Sequence, residues 1–174
     1  AGSIAQVAAP PSAPAFEASQ PQLDYSNLPP QTQLTQKYVI EKWLGKGSYG
    51  VVYKVIDTLG DVSRAMKIVL NDRVSVVERL KKEYQTLLRI PDHPNVVKVI
   101  DADFLPGGKK PFIVFEYVDG LDVGEMIAGN LFSPEDALDL ARQVAVGLVH
   151  LHEAGIFHCD IKPRNPLWTE RGAK

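Results

Sequence analysis

Five runs of apolar and β-branched residues, separated by turn-forming residues, predict five β-strands in the middle of the chain. The runs cover residues 38–44, 51–56, 64–69, 96–100 and 111–117 and are rich in Val, Ile, Phe and Tyr. Glycines interrupt the pattern between the first two runs, and Gly107 and Gly108 interrupt it before the last. Such interruptions are typical of turns, so we expect consecutive strands to be joined by short connections.

Two further segments have a helical spacing of apolar residues. In residues 75–89, Val76, Val77, Leu80, Tyr84 and Leu87 fall within about 60° of one direction at roughly 100° per residue. A second helix is predicted to begin at Ser133-Pro134, because Ser is a favoured N-cap and Pro fits the first helical position. Gly155 is expected to end it. The predicted fold class is α+β, with five strands and one inserted helix followed by helices.

Residues 1–36 differ in composition from the rest of the chain. They contain six of the 13 prolines, many Ala, Ser and Gln, and only Glu17 and Asp24 as charged residues. A segment of this kind buries too little apolar surface to offset the entropy lost on ordering, so it is predicted to be a flexible linker. A proline-rich ligand for a binding module is the alternative.

Composition and charge exclude several classes of protein. With 174 residues the chain is long enough for one domain with a sizeable core. A net charge of −2 gives no reason to expect nucleic acid as a partner, and no apolar run is long enough to span a membrane. The single cysteine, Cys159, fits a reducing compartment, and we expect a cytoplasmic location.

The first candidate for chemistry is the glycine-rich segment 45–50. Its glycines follow the spacing G-x-G-x-x-G, which also occurs in dinucleotide-binding turns, but there the segment leads into a helix and here a strand is predicted to follow. The glycine spacing leaves two interpretations open. The segment is an ordinary hairpin turn, or it is a lid whose backbone N–H groups approach phosphates.

A second candidate is Lys67, which lies within an apolar strand and shares a face with Ala65 and Val69. A buried ammonium needs an anionic partner, and Glu83 lies on the edge of the apolar stripe of the first predicted helix. We therefore expect a Lys67–Glu83 ion pair. For each residue alone, a solvated side chain is the alternative.

The third candidate is the octapeptide 158–165, which places Asp160, Lys162 and Asn165 at spacings of two and three residues. This trio suits phosphoryl transfer: a carboxylate positions a hydroxyl, an ammonium neutralises phosphate charge and an amide oxygen binds Mg2+.

Taken together, these segments resemble the first part of a Ser/Thr protein kinase domain. The resemblance includes the glycine-rich loop, the Ala65-Met66-Lys67 strand, the turn at 93–97, the hinge at 116–118 and the catalytic loop at 158–165. The segments 116–122 and 158–168 are also similar to bacterial kinase modules of larger multidomain proteins, including phage-defence kinases. The resemblance implies a kinase N-lobe with its hinge at residues 37–118 and a partial C-lobe at 119–174.

The resemblance also implies roles for individual residues. The catalytic residues would be Asp160, Lys162, Lys67 and Glu83, and the residue binding Mg2+ would be Asn165. ATP would be bound by the glycine-rich loop, the pocket walls and the hinge, that is by Gly45, Lys46, Gly47, Ser48, Gly50, Val52, Ala65, Lys67, Phe115, Glu116, Val118, Asp122 and Leu167. The substrate would be a Ser or Thr hydroxyl of a protein.

The sequence departs from the kinase pattern in two ways. Cys159 stands where the family usually has an Arg that pairs with a phosphorylated activation loop, so we expect activity that does not depend on that phosphorylation. No Asp-Phe-Gly follows the catalytic loop. We therefore expect an incomplete and inactive domain that self-associates through exposed C-lobe surface. A pseudokinase or regulatory binding module is the alternative function.

Overall fold

The computed structural model describes residues 23–47, 50–71, 73–108 and 110–174, without the side chains of Val74, Val76, Arg79 and Glu83. The strands are β1 (Tyr38–Lys46), β2 (Gly50–Asp57), β3 (Val62–Val69), β4 (Val99–Phe104), β5 (Pro111–Glu116), β6 (Leu121–Asp122), β7 (Leu167–Thr169) and β8 (Gly172–Ala173). The helices are α1 (Val74–Leu87), α2 (Val123–Ala128) and α3 (Pro134–Glu153).

The main sheet contains the five predicted strands in the order β1-β2-β3-β5-β4, and all four pairings are antiparallel. Helix α1 lies between β3 and β4 in the chain, as the sequence predicted. The α+β expectation of a five-stranded sheet with one inserted helix is confirmed. A second, small sheet contains β6, β7 and β8, which were not predicted because strands of two or three residues leave no periodic pattern.

The hydrophobic core lies against one face of the main sheet. Along β2, Val51, Tyr53 and Val55 have no exposed surface, whereas the residues between them are half-buried. This alternation follows from the period of two along a strand. The same face of the other strands completes the core with Tyr38, Ile40, Met66, Ile68, Phe112 and Val114.

The prediction of a flexible linker up to residue 36 is wrong for its last part. Leu28 and Leu34 are buried in the core of the main sheet, and Tyr25 packs against it. Thr35 and Leu34 form a turn with Tyr38, whose backbone N–H donates to Thr35 Oγ1 at 3.1 Å. These apolar side chains are isolated among polar residues, so no periodicity indicated their burial. The rest of the predicted linker, residues 1–22, lies outside the described residues.

Helix α3 begins as predicted. The Ser133 hydroxyl accepts a hydrogen bond from the Asp136 N–H at 3.1 Å, and the Asp136 carboxylate accepts one from the Ser133 N–H at 3.1 Å. This reciprocal capping box, with Pro134 at the first helical position, satisfies N–H groups that have no partner within the helix. Near its middle, Gly147 lets the helix approach the turn at Asn95, because a Cβ there would lie 2.7 Å from Asn95 O.

Candidate active site

The face of the main sheet opposite the core brings four predicted ligand-binding residues together. Val52 on β2 is directly opposite Lys67 on β3, and Ala65 on β3 is directly opposite Phe115 on β5. Residues opposite each other in neighbouring strands have their side chains on the same face, as do residues two apart in one strand. Val52, Lys67, Ala65 and Phe115 therefore form one continuous surface, and all four are half-buried.

The glycine-rich segment is the connection between β1 and β2, so it caps a hairpin and does not open a helix. Gly47 N–H donates to Gly50 O at 2.9 Å, and Gly45 is opposite Val52 in the β1–β2 register. Lys46 is exposed at the end of β1. Ser48 lies outside the described residues.

The glycines of this segment differ in whether the surrounding structure leaves room for a side chain. A Cβ on Gly45 or Gly47 would have no atom within 4 Å, whereas a Cβ on Gly50 would lie 2.2 Å from Ile68 O. Gly50 is therefore needed for the close approach of β2 to β3. The open space at Gly45 and Gly47 is consistent with a backbone that a ligand can approach closely.

Lys67 has no hydrogen bond or ion pair with the residues that the structure describes. The predicted partner, Glu83, lies in α1, but its side chain is outside the described part of the chain, so the ion pair stays a prediction. A half-buried ammonium is stabilised by an anion, because partial burial removes some of its hydration. The Lys67 side chain thus supplies positive charge at the centre of the shared surface.

The hinge begins where β5 ends. The Glu116 N–H donates to Lys98 O at 2.9 Å, and the Glu116 carboxylate accepts from Lys98 N–H at 2.9 Å and from the Lys174 ammonium. Val118, two residues further on, is half-buried, and its N–H donates no hydrogen bond to the described residues. The hinge therefore offers one unused backbone donor next to the shared surface.

Asp122 and Leu167 are brought together by the small sheet, where they are direct partners in the β6–β7 ladder. Asp122 is also the N-cap of α2, since its Oδ1 accepts the Glu125 N–H at 2.8 Å. Leu167 is tied to Lys174 by two reciprocal backbone hydrogen bonds of 2.9 Å each. These two residues, both predicted to bind ATP, are thus neighbours, although one Asp122 oxygen already has a structural role.

The three polar residues of the octapeptide meet in one network. The Lys162 ammonium donates to both Asp160 carboxylate oxygens, at 3.1 and 2.9 Å. Asn165 Nδ2 donates to Asp160 O at 2.6 Å and lies 3.4 Å from Asp160 Oδ2. Because its nitrogen faces Asp160, the amide directs its oxygen elsewhere, and this oxygen accepts no hydrogen bond from the described residues. It is available to a cation.

These contacts also favour the charged form of Asp160. Its pKa lies below the ordinary 3.8, first because of the hydrogen bonds from Lys162 and then because of the one from Asn165. Asp160 is therefore a carboxylate at neutral pH.

Cys159, just before Asp160, has φ of 58°, a left-handed conformation that is uncommon for residues other than glycine. On either side of Cys159, the Asp160 N–H donates a hydrogen bond to His158 Nδ1 at 3.3 Å.

Three residues that hold the site together were not predicted to do so. Asn95 Nδ2 donates to Gln143 Oε1 at 2.9 Å and to Ala173 O at 2.7 Å, while Ala173 N–H donates to Gln143 Oε1 at 2.8 Å. Gln143 thus connects α3 to the turn before β4 and to the small sheet. These contacts join positions far apart in the chain, so no local pattern indicated them. Asn95 alone lay in a segment that resembles a kinase motif.

Comparison with known proteins agrees with this geometry. The family model described as "Protein kinase domain" matches residues 38–173. The chain belongs to the protein kinase domain family. It is 32% identical over 140 residues to calcium-dependent protein kinase 5 of Plasmodium falciparum, and this match covers 79% of the chain and 24% of that protein. It is 34% identical over 148 residues to the serine/threonine-protein kinase STK11 of Rattus norvegicus, covering 82% of the chain and 34% of that protein.

Solved structures show the same fold. Two crystal structures of the Mycobacterium tuberculosis PknI kinase domain match with TM-scores of 0.72 and 0.69 at 24% identity, covering 84% of the chain and 60% of each kinase domain. The chain therefore spans about a quarter and about a third of the lengths of the Plasmodium falciparum and Rattus norvegicus kinases, and about three-fifths of the solved kinase domains. The predicted resemblance to a protein kinase domain is confirmed.

The described residues lack two features, a cluster of metal-ligating side chains and a helix able to cross a membrane. They contain no cluster of three or more His, Cys, Asp or Glu side chains close enough to hold a metal ion. In this part of the chain, none of the helices has the length and apolar character that crossing a membrane requires.

Proposed function

We propose that this kinase domain belongs to an ATP-dependent Ser/Thr kinase, which transfers the terminal phosphoryl group of Mg-ATP to a protein hydroxyl. The observation that carries this proposal is the network of Asp160, Lys162 and Asn165. It combines an ionised carboxylate, an ammonium and a free amide oxygen within one loop. Because catalysis of phosphoryl transfer is almost entirely positioning and electrostatic stabilisation, these groups are the ones it needs.

The shared surface of the main sheet fits the adenine and triphosphate of ATP. Val52 and Ala65 supply apolar area for a flat ring, and the unused N–H of Val118 supplies a donor for its edge. Lys67, which has no anionic partner among the described residues, supplies charge for the phosphates. The open backbone at Gly45 and Gly47 would lie over them.

The donors for Mg2+ fit a cation that is held mainly by the nucleotide. Mg2+ binds oxygen ligands and usually keeps contacts to waters and substrate phosphates, so few protein ligands are required. Asn165 has for this role an amide oxygen that accepts no hydrogen bond from the described residues. When bound, Mg2+ neutralises negative charge that develops on the phosphates.

In the catalytic loop, one residue would act on the acceptor hydroxyl and another on the phosphoryl group of ATP. Asp160, held as a carboxylate by Lys162, would accept a hydrogen bond from the substrate hydroxyl, orient it and take its proton. Lys162, 2.9 Å from that carboxylate, would place its ammonium beside the transferred phosphoryl group. The Lys162-Pro163 pair resembles the sequence of the catalytic loop in Ser/Thr kinases, which supports a Ser or Thr hydroxyl as the acceptor.

The test is phosphoryl transfer by the complete protein with radiolabelled ATP and a generic Ser/Thr substrate. Asp160→Asn should lower kcat by at least about a hundredfold, the typical contribution of a positioned general base. The matched control is Asp103→Asn, the same chemical change at an exposed site on β4, which should leave kcat unaltered. Equal activity of Asp160→Asn and the unmodified protein would contradict the proposal. Nucleotide binding without any transfer would favour the regulatory module.

We propose further that residues 1–174 alone transfer no phosphate or very little. Asn165 is the one expected metal ligand they contain, and no Asp-Phe-Gly is present to supply another. Exposed apolar side chains on α3 and after it, including Leu138, Val149 and Phe157, support self-association of this piece. Light scattering at increasing concentration tests the self-association, and the assay above tests the activity.

We also propose a cytoplasmic location. The single cysteine, Cys159, is exposed and unpaired, which is compatible with a reducing compartment. Fluorescence microscopy of the tagged complete protein tests this proposal, and a secreted or periplasmic signal would contradict it.

A further inference from the structure

The segment of residues 23–36, which we call the strap, covers the core face of the main sheet. Leu28 is 8% exposed and Leu34 is 5% exposed, and both belong to the same cluster as Tyr53 and Ile68. This is the face opposite the surface that carries Val52 and Lys67. The strap and the proposed nucleotide therefore lie on the two sides of one layer of strands.

Tyr53 on β2 holds the strap through its hydroxyl. The hydroxyl accepts a hydrogen bond from the Leu28 N–H at 2.9 Å and donates one to Tyr25 O at 3.0 Å. Tyr53 has no exposed surface. A buried hydroxyl that lost both partners would incur a desolvation cost, so these two bonds favour the seated strap.

The strap also pairs with β1, which is an edge of the main sheet. Gln31 N–H donates to Ile40 O at 2.8 Å, and Ile40 N–H donates to Thr32 O at 2.9 Å. Leu34 N–H donates to Tyr38 O at 2.9 Å. These bonds satisfy edge groups that would otherwise face solvent.

The strap therefore contacts both strands of the hairpin whose tip is the glycine-rich segment. Its bonds to Ile40 and Tyr53 lie only five residues before Gly45 and three residues after Gly50. Tyr53 is also next in sequence to Val52, whose side chain is on the nucleotide face. A shift of the strap would therefore reach the hairpin through the two strands to which it is bonded.

We propose that the strap is a detachable cover whose seating sets the position of the β1–β2 hairpin over the nucleotide, with Tyr53 as the positioning residue. This inference rests on the proposed ATP site. The strap is held by a small number of backbone bonds, the Tyr53 hydroxyl and a few apolar side chains, so it opens at a lower free energy than the whole sheet. By linkage, ATP and the seated strap stabilise each other to the same extent.

The test compares Tyr53→Phe with Tyr38→Phe in the complete protein. Both variants remove one hydroxyl from a buried ring on the core side, but the Tyr38 hydroxyl donates to Asp101 Oδ2 at 3.0 Å and not to the strap. Hydrogen exchange of peptides from residues 23–36 should accelerate about tenfold in Tyr53→Phe, with the β2, β3 and β5 amides unchanged. The KM for ATP should rise about threefold at unaltered kcat. Tyr38→Phe should leave strap exchange as it is.

A second measurement needs no variant. Saturating ATP should slow the exchange of the strap amides in the unmodified protein, although the strap does not touch the nucleotide face. The proposal is wrong if Tyr53→Phe accelerates the exchange of strap and sheet amides equally. It is also wrong if Tyr53→Phe accelerates strap exchange but leaves the KM for ATP unchanged, and ATP does not slow strap exchange in the unmodified protein.

Lys67→Ala separates failure of this inference from failure of the proposed site. If Lys67→Ala abolishes ATP binding and Tyr53→Phe leaves the KM for ATP unchanged, the strap proposal alone is overturned. If Lys67→Ala also leaves ATP binding intact, the ATP site itself is placed wrongly.

Discussion

The main sheet and the region after the hinge are stabilised in different ways. In the main sheet, side chains such as Ile40, Val55 and Met66 have no exposed surface and pack in one continuous core. In residues 119–174, the 20-residue helix α3 has only Gly147 and Leu151 buried, while Leu138 is 73% exposed. The difference shows that apolar burial forms the proposed nucleotide platform, whereas polar contacts organise the catalytic loop.

The polar contacts of the second region are specific but exposed. The Lys162–Asp160 pair has more than half of each side chain exposed, and ion pairs of this kind contribute little to stability. The bonds of Gln143 with Asn95 and Ala173 are half-buried and connect the two regions. Stability and catalytic positioning are therefore assigned to different parts of the chain, and substitutions should separate them.

The largest effect is expected from a substitution in the core of the main sheet. Ile68→Ala removes three buried carbons from a residue with 0% exposure, and should lower the free energy of unfolding by about 2–5 kcal/mol. Leu138→Ala on exposed α3 is the matched change in the second region and should cost less than about 0.5 kcal/mol. Urea denaturation of the full chain measures both. Similar costs at the two sites would remove the contrast between the regions.

An intermediate effect is expected at the glycines of the β1–β2 connection. Gly50→Ala would place a Cβ against Ile68 O and should destabilise the protein by about 1–3 kcal/mol, since the strands must move apart. Gly45→Ala is the control, because open space surrounds that position. Thermal unfolding distinguishes the two variants. A Gly45→Ala variant as unstable as Gly50→Ala would show that backbone freedom, and not strand approach, decides the choice of glycine.

The smallest effect is expected from His93 at the junction of the two regions. Its pKa lies below 6.5, because burial disfavours the charged ring and because His150 and Lys174 add positive charge nearby. The unfolded chain therefore binds more protons than the folded one as the pH falls through about 6.5. The free energy of unfolding should accordingly decrease between pH 7.5 and pH 5.5, and less so in His93→Gln. An NMR titration in which the His93 ring has a midpoint above 6.5 would contradict this assignment.

The sequence predicted the fold where the pattern was local. The five strands and the two longer helices were found from alternation, helical spacing and the Ser133 cap, and their observed bounds differ by a few residues. The order of β4 and β5 in the sheet was not predicted, since pairing between distant strands leaves no local signal. The strap was missed for the same reason: Leu28 and Leu34 are buried by residues that come later in the chain.

The site was predicted unevenly. The trio of the catalytic loop follows from spacing within eight residues, and the structure brings it together. To predict that Val52, Ala65 and Lys67 share one surface, both the alternation within each strand and the register between strands must be known. The pattern supplied the alternation, and the resemblance to kinases indicated that these residues act together. The contact of Glu116 with Lys174 joins residues far apart in the chain, so no local pattern could predict it. The Asp122 cap is a local contact with Glu125, but it belongs to a six-residue helix that is too short to leave a periodic pattern.

The register of β2 against β3 has a consequence for how this protein tolerates insertions and deletions. Each strand carries two interleaved sets of residues, one on the core face and one on the face proposed to bind the nucleotide, so Met66 and Lys67 are adjacent in sequence but have opposite environments. A single-residue deletion within β3 would exchange the two sets, placing an ammonium in the core and a thioether at the nucleotide. Length variation in this region is therefore confined to the turns, whereas the strands can change only by substitution.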